Sequence, residues 1–469
     1  MPRERLVSPR DMTRSSLCTG CGSCVAQGCP SAARMDWDEE GQLKPHGARE
    51  WRAARTTEFS RLCPFSPHAE DEDSLAARLF PAASQDDRWI GRFEAAYVGH
   101  AAEAGYREQG SSGGMVSWVA AELLRRGLVD GVAHVAPADP ASGGRFFQYR
   151  ISRDLEALSG GAKSRYYPVD MSEVLREVHT VPGRYAIVGI PCFIKAIHLA
   201  RAQDSVLRER IAFTLGLVCG HMKSRDMVES FGWQMGVDLP DVERVEYRLK
   251  DPHRPANWYT AQLSCRGGEQ HRQDWWHLVD GDWGSGFFQN PACDFCDDVV
   301  AETADISFGD AWVEPYSSDG RGTNVVVVRS PILHEMLRDA IGQGRVALAP
   351  VDAEFVRETQ AAGFRQRREG LAYRLAWHRR GVKPRKRVEA ARSHLGLRRK
   401  LIYRLRYHIS RGSSRLFRIA KRMKRPQLFL SWGRTMLKLY HGLTYSRGRI
   451  GAAFDRLERR FSRQSLQQR

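Results

Sequence analysis

The sequence predicts an α/β protein whose core is a largely parallel sheet, preceded by a cysteine-rich module and followed by a basic α-helical tail. Three observations carry that prediction. Strand-like and helix-like stretches alternate from Phe93 to Ala361, the pattern of a sheet covered by helices. Three cysteines recur at C-x2-C-x2-C spacing near the N-terminus. The charge is also lopsided: residues 371–469 hold 29 Lys and Arg against three acidic residues, a net of +26, so the first 370 residues carry −9 within the overall +17. At 469 residues the chain can bury more than one core. The expected division is 1–88 for the module, 89–370 for the core and 371–469 for the tail.

The module is read from residues 17–30, LCTGCGSCVAQGCP, in which Cys18, Cys21 and Cys24 are each two residues apart. Three thiolates on one glycine-containing loop reach three corners of a small cluster, the ferredoxin-like [4Fe–4S] arrangement. Structural zinc more often uses two separated C-x2-C pairs. In two-cluster ferredoxins the Cys before Pro serves the other cluster, so the fourth ligand is expected from Cys63, itself followed by Pro64. Cys29, after a four-residue gap, is a spare, an alternative ligand, part of an imperfect second site, or a small buried hydrophobe. Residues 33–45 read as a hairpin turning at Glu39-Glu40-Gly41. Residues 1–10 are polar and no window approaches a membrane span, which points away from a secretory signal and toward a cytoplasmic protein. Ten cysteines in that setting are ligands or buried thiols rather than disulfides.

In the core, residues 93–98 read as a strand that leads through Gln109-Gly110-Ser111-Ser112-Gly113-Gly114 into a helix over 115–126. Small residues at a helix start leave N–H groups free, so Ser111, Ser112, Gly113 and Gly114 are candidates for a flavin diphosphate or ribityl group. An ordinary N-cap with a tight turn is the plainer reading. Strands follow at 129–135 and 147–151. The loop over 159–167 brings Lys163, Ser164, Arg165, Tyr166 and Tyr167 together, which suits a phosphorylated, ring-bearing cofactor as well as a solvated turn. Helices are predicted at 171–178 and 193–201, with strands at 184–190 and 211–218 between and after them. Further strands fall at 305–308, 323–328 and 346–351, and helices at 332–341 and 353–361. Asp310, in a Gly-Asp turn, is placed to accept hydrogen bonds from a ligand, although such residues most often only make turns.

Cys192, at a strand-to-helix junction, has three readings: a nucleophile with His221 as its base, a cluster ligand, or inert core. Cys219 ends the next strand, and Cys293 and Cys296 form a C-x2-C. These four complete a second ligand set, which zinc could also use.

Eight ordered motifs, CTGCGSCVAQGCP, GSSGGMVSWVAAELLRRGLVDGV, AKSRYYPV, AIVGIPCFIKAI, GLVCGH, CDFC, ISFGDAW and TNVVVVRS, resemble the family formed by the beta subunits of coenzyme F420 (deazaflavin) hydrogenases and dehydrogenases. The same family looks like the one that includes plant 7-hydroxymethyl chlorophyll a reductase. The resemblance implies an iron–sulfur flavoprotein with one or two 4Fe–4S clusters and FAD. It implies electron transfer between a ferredoxin-like or deazaflavin donor and an unidentified organic substrate. Carried over, Cys192, Cys219, Cys293 and Cys296 match the core cluster, and Cys18, Cys21, Cys24 and Cys63 the ferredoxin-like one. Ser112, Gly113, Gly114, Lys163, Ser164 and Tyr166 match stretches near the flavin. His221 and Asp310 are the candidates for moving a proton. Relatives in polysaccharide gene neighbourhoods suggest a role in polysaccharide metabolism at the membrane.

The tail lies outside that resemblance. Residues 397–409, 416–423 and 428–440 interleave apolar and aromatic residues with Lys and Arg, as helices on an anionic inner-membrane face do. A helical appendage packed on the core is the plain alternative, and nucleic acid is disfavoured because no recognised motif is present. A different class of protein, a zinc-stabilised scaffold with a basic arm, predicts zinc and no flavin. A Cys192-based hydrolase or transferase predicts no cofactor at all.

Overall fold

The computed structural model describes residues 6–27, 33–377, 381–393 and 395–456. At its centre eight strands lie in the order Val346–Val351, Ala95–Ala101, Asn324–Val328, Ile306–Asp310, Ile211–Leu217, Tyr185–Gly189, Gly131–Pro137 and Phe147–Ser152. The four from Ile306–Asp310 to Gly131–Pro137 pair in parallel. Every flanking pairing is antiparallel, so five strands run one way and three the other. The parallel strands are near-continuous apolar runs because both faces are covered. Ala186 and Val188 pack with Trp118, Leu123, Leu333 and Leu337 from the helices Met115–Arg125 and Pro331–Gly342. Tyr185 and Ile187, pointing the other way, pack with Leu175, Val178, Phe193 and Ile197 from Ser172–Thr180 and Pro191–Gln203.

The strands and helices expected between residues 93 and 361 are present with small shifts at their ends. Gly309 and Asp310, expected as a turn, instead finish the strand Ile306–Asp310. Residues 222–280, which show no clear period, form the helix Asp226–Met235 and a separate antiparallel sheet of Val242–Leu249, Thr260–Cys265 and Gln270–Asp274.

Before residue 89 the chain makes short capped helices and one hairpin. Ser8 and Asp11 form a reciprocal capping box on Pro9–Arg14, and Thr56 and Asp71 cap Thr57–Leu62 and Glu72–Leu79. The expected hairpin pairs Ala33–Trp37 with Leu43–Gly47, its turn held by Asp38 Oδ1, which accepts from the N–H groups of Glu40 and Gln42. Their own core is small, made of Val25, Ala33, Met35 and Leu43, and the rest of the module packs on the sheet's helices. Leu17, Leu62 and Phe65 share the cluster of Phe193 and Ile197, and Lys195 reaches Glu72 at 3.2 Å in a buried ion pair.

The tail folds back as two helices, Leu397–Arg422 and Pro426–Tyr445, with Pro426 at the start of the second. They run antiparallel: Phe417 meets Phe429, Trp432 lies on Gly412, and Arg398 Nε donates to the Leu443 carbonyl. The apolar stripe offered above for a lipid surface is largely occupied by protein. Ile402, Ile409, Phe417, Phe429, Leu430, Tyr440 and Leu443 share one cluster with Phe231, Val279, Phe287 and Phe288. That burial offers more apolar contact than a surface helix would gain by lying on headgroups, and it corrects the expectation for most of the tail. Among the described residues no helix is long and apolar enough to cross a membrane.

Candidate functional site

Cys18, Cys21 and Cys24 stand on the loop before and within the one-turn helix Ser23–Ala26, and Cys63 follows the helix Thr57–Leu62. Gly20 and Gly22 take φ of +81° and +86°, and a Cβ on Gly20 would lie 2.7 Å from the Leu43 carbonyl oxygen. Only glycine fits that turn and that approach. Lys44 Nζ donates to the Cys18 carbonyl at 2.7 Å, tying the loop to the hairpin. Burial pushes the Cys24 thiol well above the usual range, and the neighbouring sulfurs of Cys21, Cys18 and Cys63 push it further. The same order of causes, burial and then Cys21 and Cys18, raises Cys63. The three cysteines chosen on spacing and the remote Cys63 are therefore neighbours. Cys29 lies outside the described residues.

Cys192 opens the helix Pro191–Gln203, Cys219 follows the strand Ile211–Leu217, Cys293 lies within the turn Pro291–Phe295 and Cys296 directly follows it. Burial raises the Cys192 thiol far above the usual range, and Cys296, Cys219 and Cys293 add to it. Cys219 is pushed up to about 11 by burial, against the opposing pull of Arg367. A nucleophile needs a lowered thiol pKa, and burial at Cys192 acts in the opposite direction. Met222 N–H donates to Cys293 Sγ at 3.3 Å. The two cysteine sets are adjacent: Cys21 is among the groups that raise Cys192, and both act on Tyr149, whose hydroxyl donates to the Val188 carbonyl at 2.8 Å. Among the described residues no three His, Cys, Asp or Glu side chains stand close enough to hold a single ion.

A cavity of about 530 Å³ opens beside the loop 159–165, lined by Gln109, Phe146, Phe147, Lys163, Arg165 and Arg244 among others. Arg165 lies over the Phe147 ring at 4.9 Å and 3.8 Å from Glu246. Lys163 holds φ +126°, a conformation costly for a non-glycine residue, and burial lowers its ammonium pKa. Ser164 N–H donates to Ser111 Oγ at 2.7 Å, joining the two loops that the sequence singled out. Lys250 Nζ donates to the Ser112 carbonyl at 2.7 Å, and burial beside Lys163 and Arg107 brings it down to about 8.

Of the expected cofactor contacts, Lys163 alone is in the cavity wall. Gly113 and Gly114 are dictated by the protein itself: added Cβ atoms would lie 2.8 Å from the Asn324 nitrogen and 2.4 Å from the Tyr106 carbonyl oxygen. Ser112 Oγ donates to the Thr323 carbonyl, and Asn324 Oδ1 accepts from Met115 N–H at 3.1 Å, capping the helix where a phosphate was expected. Tyr166 joins an aromatic group with Trp283, Tyr247 and Trp275, at centroid distances of 4.8, 5.5 and 5.6 Å. His221 stacks on Trp283 at 4.3 Å. Burial, followed by Lys223, Arg406 and Arg367, keeps its imidazole neutral. Asp310 is a tied carboxylate: Arg248 donates to both its oxygens, at 3.0 and 3.3 Å. Asp310 is thus held by its arginine, whereas the buried Nε2 of His221 has no hydrogen-bond partner among the described residues. Arg367, whose Nη2 donates to the carbonyls of Cys219 and Gly220, is a neighbour of that set that no local pattern marks.

Residues 96–176 match the family described as the N-terminal part of the coenzyme F420 hydrogenase/dehydrogenase beta subunit, and residues 183–354 match the family described as its C terminus. A curated relative, the F subunit of F(420)H(2) dehydrogenase from Methanosarcina mazei, is 23% identical over 346 residues, covering 70% of this chain and 84% of the relative. A chain from the F420-reducing [NiFe] hydrogenase complex of Methanosarcina barkeri aligns at 16% identity and a TM-score of 0.48, over 64% of this chain and 99% of that one. The two matched stretches are consecutive and together span more than half of the protein, so the chain belongs to the family of coenzyme F420 hydrogenase/dehydrogenase beta subunits and is an oxidoreductase.

Proposed function

We propose that the chain relays electrons through two [4Fe–4S] clusters, one on Cys18, Cys21, Cys24 and Cys63 and one on Cys192, Cys219, Cys293 and Cys296, to FAD in the cavity beside Lys163. The observation that carries this reading is the adjacency of two sets of four thiols, buried at Cys21, Cys192 and Cys296 and half-buried at the other five, with Cys192 and Cys21 both acting on Tyr149. All-sulfur donors suit iron–sulfur chemistry. When bound, the clusters would supply one-electron steps and the flavin their conversion to a two-electron step. The protein's own residues do the rest. Gly20 and Gly22 fix the ligand loop, and buried apolar neighbours keep water from both thiol sets. Lys163, Arg165 and Arg244 offer positive charge to an anionic cofactor, and Phe146 and Phe147 offer it an apolar wall. The relative's printed name favours a deazaflavin, coenzyme F420, as electron partner over a ferredoxin-like protein.

The test is the visible spectrum of anaerobically purified full-length protein, with iron, acid-labile sulfide, zinc and released flavin measured on the same sample. About eight irons per chain together with flavin is the expected outcome. Zinc in place of iron would leave the scaffold reading standing.

A second reading concerns the tip of the C-terminal helical hairpin. Ile419, Met423 and Leu428 are 47, 52 and 40% exposed there, beside the exposed cations Arg415, Arg422, Lys424 and Arg425. No acidic residue occurs from 390 to 454. An apolar tip in a cationic setting fits an anionic lipid surface, where each near-surface cation contributes about 1 kcal/mol. The protein is expected to co-sediment with phosphatidylserine-containing vesicles and not with neutral ones, and Met423→Glu with Leu428→Glu to release it. Binding that survives both substitutions, or that DNA competes away, would count against this surface.

A further inference from the structure

The second cysteine set is covered by residues that lie beyond the stretch matched to the family, which ends at 354. Arg374 Nε donates to the Asp294 carbonyl at 2.7 Å, within the turn that carries Cys293 and Cys296. Lys386 pairs with Asp297 at 2.8 Å, and Arg387 pairs with Glu302 at 2.6 Å, so each of these buried cations has a carboxylate. Arg367, at the end of the helix Ala361–Arg367, has none: among the described residues no carboxylate comes within ion-pair distance of it. It is nonetheless 3% exposed. Its Nη2 is spent on the carbonyls of Cys219 and Gly220, at 2.9 and 2.7 Å, and its Nε is buried with no hydrogen-bond partner.

A buried guanidinium cannot shed its charge by deprotonating, and a buried charge is costly without a counter-ion. The groups that most favour its charged form are the sulfurs of Cys296, Cys219 and Cys293, with Asp298 after them. The missing counter-ion is therefore on the cysteine side. A cluster held by four thiolates is net negative when oxidised and gains one further negative charge on reduction. A fixed positive charge beside it favours the reduced form, and net charge and hydrogen bonding are the means by which proteins set such potentials.

The geometry points to Arg367 as the built-in counter-ion of the Cys192/Cys219/Cys293/Cys296 cluster, a positioning residue that raises its reduction potential and fastens the helix Ala361–Arg367 over it. This rests on the reading of those four cysteines as cluster ligands. The cluster is unchanged in composition by the step concerned, which takes up one electron from an external one-electron donor such as dithionite and needs no bond change in the protein.

The experiment is an anaerobic redox titration of full-length wild type, Arg367→Gln and Arg367→Lys, followed by EPR and visible absorption, with iron counted on each. In Arg367→Gln the potential of the core cluster is expected to fall while that of the Cys18 cluster stays put, and Arg367→Lys, which keeps the charge, is expected to recover most of the shift. If Arg367→Gln loses the core cluster and Arg367→Lys retains it, the counter-ion role is likewise supported. Full iron and unchanged potentials in Arg367→Gln would overturn it, and so would equal loss of the core cluster in both variants, which would mark a packing role. Wild-type protein with iron for the Cys18 site alone would instead remove the ligand reading and this inference with it.

Discussion

His134 shows how one residue can couple the fold to pH at a distance from the cysteines. It is buried in the strand Gly131–Pro137, its Nε2 2.8 Å from Ser152 Oγ, and burial lowers its pKa to about 4. Because the folded pKa lies below the ordinary value near 6.5, the unfolded chain takes up the proton first. Stability is therefore full above about pH 6.5 and falls as the pH drops toward 4, by about 3 kcal/mol from this residue alone. Urea denaturation at pH 7 and pH 4.5 should show a smaller loss for His134→Gln than for wild type; equal losses would assign the acid sensitivity to other groups. The residue also bears on the candidate site, since a Cβ on Gly161 would lie 2.2 Å from its ring, and Gly161 begins the loop that presents Lys163. What the sequence showed at this scale depended on whether the signal was local. The spacing of Cys18, Cys21 and Cys24 is local, and the structure gathers them with Cys63. Arg367 is one arginine among many until folding buries it, and Arg248, which ties up Asp310, is 62 residues from it in sequence.

Among the elements, those legible in advance have a clean period and firm ends. Tyr185–Gly189 is an unbroken apolar run closed by Pro191, and Met115–Arg125 repeats its apolar residues at helical spacing before Gly127. The strand Val242–Leu249 has neither feature: its alternation is interrupted by two register shifts against Thr260–Cys265 and by Glu243, Arg244 and Arg248. The tail helices were visible as amphipathic segments, but their target was not, because an apolar stripe reads alike whether it meets lipid or protein. The helical hairpin makes its own prediction. Gly412 sits inside a helix, where glycine costs about 1 kcal/mol relative to alanine, and a Cβ there would lie 2.7 Å from the Trp432 ring. Crowding in a packed interface typically costs about 1–3 kcal/mol, more than the helix gains. Gly412→Ala should accordingly lower the midpoint of thermal unfolding, and pairing it with Trp432→Leu should restore part of the loss. A rise in midpoint from the single substitution would show that the two helices do not need this close approach.

Across the whole molecule, the three-part division suggested by composition does not correspond to three separate hydrophobic cores. Leu17 and Phe65 belong to the cluster of Phe193, and Phe417 and Phe429 to that of Phe231 and Phe287. Charge composition distinguished the tail correctly as a basic segment, yet it carried no information about which surface that segment would cover. The early and late residues also meet directly. Arg387 pairs with Asp73, Arg411 donates to Ser16 Oγ, and Val382 N–H donates to Ser15 Oγ. On the ribosome, residues 15–73 emerge more than three hundred residues before these partners do. Throughout that interval the loop with Cys18, Cys21 and Cys24 lacks part of its final cover, and the turn with Cys293 and Cys296 lacks Arg367 and Lys386 until the last quarter of the chain is made. Contacts so distant in sequence form late. Translation itself thus leaves both thiol sets open to metal-delivery factors and to oxidants alike, and closes them together when the C-terminal segment docks.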